Sequence, residues 1–595
     1  GNMDLVKKNT GKLTINNKNS YTGKTIVEGG ALILKYLPGS SEDGGIGANT
    51  KDASMLELKN GAELQVSSDN QMTDIGVTVS GDEGGVFNIT RDVYWNGEIK
   101  GTKLIKTGAG RLYIGYQNKN LNEVELNAGV IELYHSNPLH GVGKKITING
   151  GTLLCGGGAG EYLSTALNFH IPQGRAGTVY ASPRCEYTGT LTGGGTLNWK
   201  ADFIRSYLKG NWSAFEGTIN VTNSGFNTQY GTQFIFDNTY GIPNATLNLG
   251  TDVWMWGGST IKIGMLTGVS SATIDGSFLE IGGNNKNGAY SGVITGNASV
   301  KKVGTGTWSV LGNNTYTGTT NVSEGTMIVR GSLGTSNITI TNVGTMTINS
   351  GRSVGGMVTI RGGGTLNCYG TVGKTVNNLG TLRGYGRITG NATLGMNSVT
   401  APGTASVLGT LNFDANATMN NTSSTLEIRV MGSNTRSDQL NVAGTLTCKG
   451  NLNISVLSGT LVEGDSYKIF SAKSIAGTFD AISLPELESD LEWDISQLYT
   501  EGIISVVKST GLHLPVLNTA LLGNPTTGIF RVAVESSEDL NISVVDLLGK
   551  VIYQAEASPV SGVIEINITD QPAGSYVLRL TAKNQKTATL MLMKL

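Results

Sequence analysis

The chain has 595 residues, of which 86 are glycine, 11 are proline and 15% are charged, and its formal net charge is -1. Abundant glycine, threonine and asparagine favour short strands and turns over long helices, and the near-neutral charge without a basic run argues against a nucleic-acid partner. No segment approaches the roughly 18 consecutive apolar residues that a membrane-spanning helix needs.

One phrase occurs three times along the chain, at residues 6–15, 105–114 and 302–310. In each copy a second glycine follows the first after 19 residues: Gly11 and Gly30, Gly110 and Gly129, Gly306 and Gly325. This spacing fits one turn, or rung, of a solenoid in which glycine marks a corner between short strands. Because Gly1-Asn2-Met3 leads straight into the first copy with no signal peptide, we expect a processed or trimmed N-terminus.

A shorter phrase, Gly-Thr followed by Leu, Ile or Met, continues the repeat. It begins at Gly151, Gly195, Gly217, Gly325, Gly344, Gly364, Gly380, Gly409 and Gly444. Alternation along each strand places Leu or Ile inward and Thr or Asn outward, and rungs must stack to bury the inner row. The sequence therefore predicts an all-β fold, a right-handed parallel β-helix over residues 1–385 with longer loops or larger strands near 160–260.

Aromatic residues crowd into the region of longer loops. They are Trp199, Tyr207, Trp212, Tyr230, Tyr240, Trp254 and Trp256. Flat rings at a surface can stack on the apolar faces of sugars. We take Trp199, Tyr207, Trp212, Trp254 and Trp256 as candidate carbohydrate-binding residues, with hydrogen bonds available from Arg184, Lys200, Asp202 and Arg205. The structural explanation, that the rings pack a loop onto the solenoid, is favoured over the binding site.

Other chemistry is sparsely represented in the sequence. The histidines, His135, His140, His170 and His513, lack metal-ligand spacing, and the acidic turns 42–45 and 82–85 lack the spacing of calcium loops. No nucleophile elbow, phosphate loop or dinucleotide motif occurs, so we expect no metal and no cofactor. The only compact catalytic candidates are Lys200, Asp202 and Arg205, and no catalytic residue is assigned. For Cys155, Cys185, Cys368 and Cys448, buried thiols are favoured over a disulfide between the first two.

The last third of the chain changes character. Residues 386–507 keep strands but have longer apolar runs, which indicates a C-terminal solenoid and capping region over the last rung. Residues 508–515 read as a linker. Four strand-like segments separated by turns then predict a small antiparallel β-sandwich over residues 516–595.

The terminal segment carries a specific set of motifs. Asn524-Pro525 with Gly528, then residues 545–550 and 572–578, closely resemble the type A C-terminal sorting domain of the type IX secretion system. The ending, residues 591–595, is less basic than the usual tail. The resemblance implies a secretion machinery as partner and export across the outer membrane of a Bacteroidetes-type Gram-negative bacterium, often with attachment to the cell surface.

The repeats resemble autotransporter-associated β-strand repeats. The match rests on residues 302–306, 313–318 and 325–326, and on Ser20-Tyr21-Thr22-Gly23 in the first copy, whereas the middle copy has Asn118-Lys119-Asn120-Leu121 instead of Tyr-Thr-Gly. Residues 401–403, 438–442 and 477–479 with Trp493 resemble the end of an autotransporter passenger. The resemblance implies a parallel β-helix exported to the surface, and no particular activity.

Two classes of function follow from this organisation. The favoured one is a non-catalytic, secreted or surface-exposed adhesin or stalk whose rigid solenoid binds glycans or host surfaces. The alternative is a polysaccharide-degrading enzyme, a lyase or glycoside hydrolase, or the C-terminal part of one with a catalytic domain upstream. Such an enzyme needs two carboxylates roughly 5 to 10 Å apart, or a base beside a charge-neutralising group.

Overall fold

Strands with alternating burial form the fold, because threonine and β-branched residues alternate with larger apolar residues along the repeats. In Thr345–Ile348, Met346 and Ile348 are buried while the two threonines lie on the outer side. The computed structural model of the chain describes residues 1–595 apart from 38, 40–43, 47–51, 116–117, 119, 135–138, 140–143, 157–162, 182–183, 202–205, 224–231, 259, 342, 433–434, 510–516, 537–538, 559–561 and 584–585.

The second half of the β-helix has three strands in each rung, and equivalent strands of successive rungs pair in parallel. The first column contains Ser299–Lys302, Thr320–Val322, Ile338–Ile340, Val358–Ile360, Val376–Asn378, Ala392–Leu394 and Ala417–Met419. The second contains Thr307–Val310, Thr326–Val329, Thr345–Ile348, Thr365–Cys368, Thr381–Gly384, Val399–Pro402, Thr425–Met431, Asn451–Ser458 and Ala481–Ser483. The third contains Asn313–Asn314, Ser332–Leu333, Ser353–Val354, Thr371–Val372, Arg387–Ile388, Thr410–Phe413, Gln439–Cys448 and Phe470–Gly477. The short strand Arg436–Ser437 pairs antiparallel with Thr425–Met431 of the second column.

The first half also consists of stacked parallel strands. One sheet contains Leu5–Lys7, Lys12–Ile15, Thr25–Val27, Ala31–Leu34, Leu56–Lys59, Ala62–Val66, Val77–Ser80, Gly85–Ile89, Ile99–Thr107, Leu121–Leu126, Lys145–Ile148, Asn168–Ile171 and Leu191–Gly193. A second column contains Gln71–Thr73, Val93–Trp95, Arg111–Ile114, Val130–Tyr134, Thr152–Gly156, Ala176–Ala181, Thr196–Ala201, Thr218–Asn223, Ile242–Leu249, Ile261–Gly268, Phe278–Ile281 and Gly288–Tyr290, and continues into the later rungs.

A seven-stranded parallel sheet forms the third side of the middle rungs and carries several of the candidate aromatic residues. Its strands are Leu163–Thr165, Cys185–Tyr187, Ser206–Leu208, Thr232–Phe236, Val253–Gly257, Thr273–Asp275 and Val293–Thr295. The stack has about 18 turns in all. One continuous hydrophobic core runs inside it from Val27 to Val506.

The corner glycines are required by the close approach of neighbouring rungs. Gly325 has a φ of 61°, and a Cβ atom added there would lie 2.4 Å from the carbonyl oxygen of Gly304 and 2.6 Å from that of Gly306. Gly129 has the same relationship to Gly108 and Gly110, at 2.4 Å and 2.5 Å. A side chain at these corners would force the rungs apart, which explains the regular glycine spacing.

The C-terminal part of the chain is antiparallel. Ser466–Lys468, Leu491–Asp494 and Ile503–Lys508 form a three-stranded sheet. Trp493 and Tyr499 pack against the core of the β-helix, as a cap on the last rung would require. A separate core from Leu517 to Leu592 lies between two further sheets. These contain Thr519–Leu522, Ile529–Val534 and Val563–Asn567, and Leu540–Val545, Val551–Ala557, Gly574–Ala582 and Thr587–Lys594.

The predicted all-β class, with a parallel β-helix followed by antiparallel sheets, is confirmed. Equivalent strands of successive later rungs pair in parallel, as in Thr326 beside Thr345 and Thr345 beside Thr365. The described part of the chain contains no helix of the length and hydrophobicity that crossing a membrane would take.

Candidate functional site

The strand Val253–Gly257 turns two tryptophan rings toward solvent. Val253, Met255 and Gly257 are buried, and the alternation of a strand therefore places Trp254 and Trp256 on the outer side. Trp254 is 36% exposed and Trp256 is half-buried. The two rings share one outer face of the seven-stranded sheet.

Tyr207 belongs to the same outer face. In the parallel register Tyr207 lies beside Ile235, and Ile235 lies beside Trp256. Tyr207 and Trp256 are thus two strands apart, about 9 to 10 Å between their backbones. Trp256 is followed in the next rung by Asp275, and Trp254 by Thr273. We call Tyr207, Trp254 and Trp256 the ring face.

A cluster of charged side chains borders the ring face. The Lys209 Nζ atom lies 2.7 Å from Glu186 Oε1 and 3.9 Å from Asp237 Oδ2. The same ammonium is 5.7 Å from the centroid of the Tyr207 ring. The hydrogen bond to Glu186 is the main cause that raises the pKa of Lys209. Partly exposed rings near hydrogen-bonding charges are suited to a ligand with both apolar and polar faces.

Trp199 and Trp212 lie in the core rather than on the surface. Both are fully buried, and their ring centroids are 5.4 Å apart. The Trp212 Nε1 atom donates a hydrogen bond to the Gly189 carbonyl oxygen at 3.2 Å. A ring without exposed surface cannot stack on a sugar, so the expectation of a surface role is corrected for these two residues. Their role is structural, because both rings pack in the interior of the β-helix.

Of the polar residues that the sequence places near the rings, Lys200 lies away from the ring face. Lys200 is exposed on a different sheet, where it lies between Tyr180 and Thr222. Asp202, Arg205 and Tyr230 lie outside the described residues. Tyr240 is 52% exposed and follows the seven-stranded sheet's strand Thr232–Phe236.

The thiols of the protein are buried and unreactive. All four cysteines belong to the described residues, are buried and form no disulfide, so the expectation of buried thiols is confirmed and Cys155 and Cys185 are not joined by a disulfide. Burial raises the pKa of Cys185 to about 11 and that of Cys368 to about 12, which keeps both protonated and unreactive at neutral pH. Within the described ranges, no three His, Cys, Asp or Glu residues form a group that could hold a metal ion. His135, His140 and His513 fall outside those ranges.

The sequence analysis did not assign a role to the lysine that occurs in each copy of the long phrase, which is the one at residues 6–15, 105–114 and 302–310. The Lys302 Nζ atom donates to the carbonyl oxygens of Val303 at 2.7 Å, Gly304 at 2.8 Å and Glu324 at 3.2 Å. Lys7 and Lys106 make the equivalent three bonds, each time reaching a residue 22 positions later. The signal was available, because every copy has a lysine at an inward strand position just before its corner.

The middle copy keeps an asparagine contact although it lacks the Tyr-Thr-Gly sequence. Asn118 Oδ1 accepts a hydrogen bond from the Ile99 amide at 2.6 Å, and Asn314 Oδ1 accepts one from the Ile294 amide at 2.8 Å. Both asparagines are buried. The middle copy therefore differs in sequence but keeps the hydrogen bond that joins this corner to the preceding rung.

Comparison with known proteins supports the same organisation. Residues 523–594 match the family described as secretion system C-terminal sorting domain, and residues 5–34 and 300–329 match the passenger-associated-transport-repeat family. The chain is similar to the adhesin BmaC autotransporter of Brucella suis biovar 1 (strain 1330), with 25% identity over 428 residues, 65% of this chain and 12% of that protein. It is also similar to an extracellular serine protease of Serratia marcescens, with 41% identity over 87 residues, 14% of this chain and 8% of that protein.

The chain thus spans 12% or less of the length of these two relatives. The sorting domain implies an interaction with a secretion machinery. Together with the β-helix, these matches show that the chain combines autotransporter-type transport repeats with a C-terminal secretion sorting domain, and that it is a secreted or surface-exposed β-helix protein.

Proposed function

We propose that this protein is a non-catalytic adhesin or stalk that binds glycans through the ring face. The observation that carries the proposal is the outward position of Tyr207, Trp254 and Trp256 on one sheet, with Trp254 36% exposed. Rings that serve packing alone are buried in this region, as Trp199 and Trp212 are. An exposed large aromatic ring contributes little to folding, and several such rings on one face of a sheet fit a contact with a ligand.

The chemistry of the ring face fits a saccharide. A pyranose ring has an apolar C–H face that stacks on an aromatic ring and hydroxyl groups that need hydrogen-bond partners. Trp254 and Trp256 supply the rings, and Lys209 with Glu186 supplies a donor and an acceptor beside Tyr207. Because strands repeat every 4.8 Å or so along the axis, a glycan lying along the sheet would meet a new side chain at each rung.

A binding role is favoured over polysaccharide cleavage. Glu186 and Asp237 both lie within 4 Å of the same Lys209 ammonium, at 2.7 Å and 3.9 Å. Both carboxylates are therefore engaged with one ammonium, whereas hydrolysis needs two carboxyl groups placed around a scissile bond. A lyase or hydrolase would therefore need catalytic residues other than these. The similarity to an adhesin supports a role of this protein in surface display and attachment.

We further infer that a type IX secretion system of a Bacteroidetes-type Gram-negative bacterium reads the sorting domain and that the β-helix is then presented at the outer surface. This inference rests on the sorting-domain match over residues 523–594. A glycan or host surface would be the partner of the exported β-helix.

A glycan array tests the proposed binding. The parent protein should bind a defined set of glycans, and a Trp254→Ala/Trp256→Ala variant should lose that set. Phe278→Ala is the matched control, because Phe278 is 41% exposed on a strand of another sheet. Absence of any bound glycan, or equal binding by the double variant, would overturn the proposal.

A further inference from the structure

A concave site lies on the later rungs, away from the ring face. It is a groove of about 390 Å³ over the strands Thr381–Gly384, Val399–Pro402, Thr425–Met431 and Asn451–Ser458. Its lining includes Arg383, Ala401, Thr404, Glu427, Asn453 and Ser455. The volume is within the range of about 300 to 1,000 Å³ that is typical of ligand pockets.

The floor of the groove is formed by one small residue between two charged ones. Arg383 pairs with Ala401 in register. Thr400 pairs with Leu426, so the next residues of these two strands, Ala401 and Glu427, also lie side by side. Glu427 in turn pairs with Asn453 in the following rung. The methyl group of Ala401 leaves space that a larger side chain would fill. Arg383 and Glu427 therefore face each other across two strand spacings, about 9 to 10 Å.

The two charged groups are left without the ion pairs that are common elsewhere on the β-helix. Lys301 lies 2.9 Å from Glu280 in the adjacent rung, and Lys209 pairs with Glu186 in the same way. In the part of the chain that the structure describes, neither Arg383 nor Glu427 forms an ion pair, and Arg383 is exposed. Because Ala401 separates them by an extra rung, each retains its hydrogen-bonding capacity for a ligand.

One wall of the groove is a rigid segment, residues 403–409. The Arg429 guanidinium donates to the Pro402 carbonyl oxygen at 3.3 Å and to that of Val407 at 3.0 Å, and it also bonds the Thr404 carbonyl oxygen. Its Nε atom is 2.6 Å from Oδ2 of the buried Asp438. Asp438 Oδ1 accepts the Gly409 amide at 2.8 Å. This bonding keeps the wall in one position and preorganises the groove.

A stacked pair of tyrosines, one of them exposed, lies beside the wall. The rings of Tyr385 and Tyr369 stack with centroids 4.9 Å apart, and Tyr385 is 42% exposed. A Cβ atom added to Gly409 would lie 3.0 Å from the Tyr385 Cβ, so this tyrosine contacts the end of the wall. Tyr385 is not part of the lining, but its contact with the wall puts an exposed aromatic ring next to the groove.

We propose that this groove binds an acidic saccharide, a sugar unit with a carboxylate or sulfate group. Arg383 binds the anionic group through its planar guanidinium, which matches the two oxygens of a carboxylate or sulfate. Glu427, Asn453 and Ser455 accept and donate hydrogen bonds to hydroxyl groups across Ala401. Tyr385 stacks on a neighbouring unit. The groove shares no residue with the ring face, so this proposal goes beyond the proposed function and can fail or hold independently of it.

Titration calorimetry with defined probes tests the groove. The probes are trigalacturonate, a sulfated heparin tetrasaccharide and sialyllactose, with a neutral galactose trimer, inorganic sulfate and tetraglutamate as comparisons. At least one of the three acidic saccharides should bind the parent protein, more weakly as salt is added, and Arg383→Ala should reduce its affinity at least about tenfold. Glu427→Gln should weaken the same saccharide while leaving any binding of inorganic sulfate unchanged.

Matched variants keep the result interpretable. Arg330→Ala removes another exposed arginine of the β-helix and should leave the affinity unchanged. Both arginine variants should keep the parent's thermal midpoint, because each side chain is exposed. The proposal is overturned if none of the acidic saccharides binds, if Arg383→Ala binds as the parent does, or if inorganic sulfate or tetraglutamate binds as tightly as the best saccharide.

Discussion

The Nζ atom of Lys302 lies 3.2 Å from the carbonyl oxygen of Glu324, 22 residues later in the chain and one rung further along the β-helix. The same ammonium bonds the carbonyl oxygens of Val303 and Gly304. One buried side chain therefore satisfies three backbone groups at a corner where the chain turns sharply. The repeated lysine is part of what makes the long phrase a stable rung.

Replacing Lys302 by methionine should destabilise the β-helix. Three carbonyl oxygens would lose a charged donor, at a cost of about 2 to 4 kcal/mol after partial compensation by water. The thermal midpoint should fall measurably by circular dichroism. Lys301→Met is the matched control, because Lys301 faces outward and only pairs with Glu280 on the surface, at 2.9 Å. Equal midpoints for the two variants would contradict the structural role of Lys302.

Tyr316 should contribute to a loss of β-helix stability at high pH. Burial raises the pKa of this phenol to about 12, although hydrogen bonds with Thr320 and Ser336 act to lower it. In the unfolded chain the pKa is about 10. A group whose pKa is raised by folding contributes stability that is complete below the unfolded value, so this contribution should be lost as the pH rises from about 10 to 12.

Thermal midpoints measured from pH 8 to 12 check this expectation. Tyr316→Phe should show a smaller decline above pH 10 than the parent protein, because the titrating group is gone. Tyr240→Phe, which changes a tyrosine that is 52% exposed, should decline as the parent does. A Tyr316→Phe profile parallel to that of the parent would show that the buried phenol does not control the alkaline limit.

The Arg429–Asp438 pair should be necessary for the wall formed by residues 403–409. Arg429→Met would leave the buried Asp438 carboxylate without its cation, which costs about 3 to 5 kcal/mol for a buried pair. We expect a lower thermal midpoint and faster proteolysis within the wall segment. Arg387→Met is the control, because its 2.7 Å pair with Asp414 is largely exposed and should contribute little. Similar effects of both changes would argue against the wall's dependence on Arg429.

Export should depend on the terminal antiparallel domain. Deleting residues 516–595 removes the whole segment that matches the sorting domain, residues 523–594, and should leave the protein in the periplasm of its native bacterium. Immunoblots of periplasm, cell surface and medium measure the distribution. The Trp254→Ala/Trp256→Ala variant should be exported normally. Undiminished surface or medium levels after the deletion would refute the assignment.

The repeating features of the fold were predictable from the sequence. Glycine spacing marked the corners because a Cβ atom at a position such as Gly325 cannot fit against the preceding rung. Alternation also places Trp254 and Trp256 on one face, opposite Val253 and Met255, and it places Trp199 inward with Leu197. The alternation alone does not determine exposure, however, because Ile235 lies on the outer side of its strand and is still buried.

The groove could not be located from the sequence. Arg383, Ala401 and Glu427 are separated by 18 and then 26 residues. Unequal rung lengths of this kind hide which side chains stack, because a change of one residue moves every side chain of a strand to the other face. The Arg429–Asp438 pair was equally hidden, although Asp438 belongs to a motif that resembles the end of an autotransporter passenger.

Paired measurements of glycan affinity and thermal midpoint on the parent protein and the Trp254→Ala/Trp256→Ala variant test the proposed binding function most directly. We predict that the variant binds the array-selected glycan at least about tenfold more weakly, with its midpoint close to that of the parent, because exposed rings contribute mainly to the ligand contact. The contrary result is unchanged glycan affinity, or a loss of stability approaching the roughly 3 to 5 kcal/mol of a buried tryptophan.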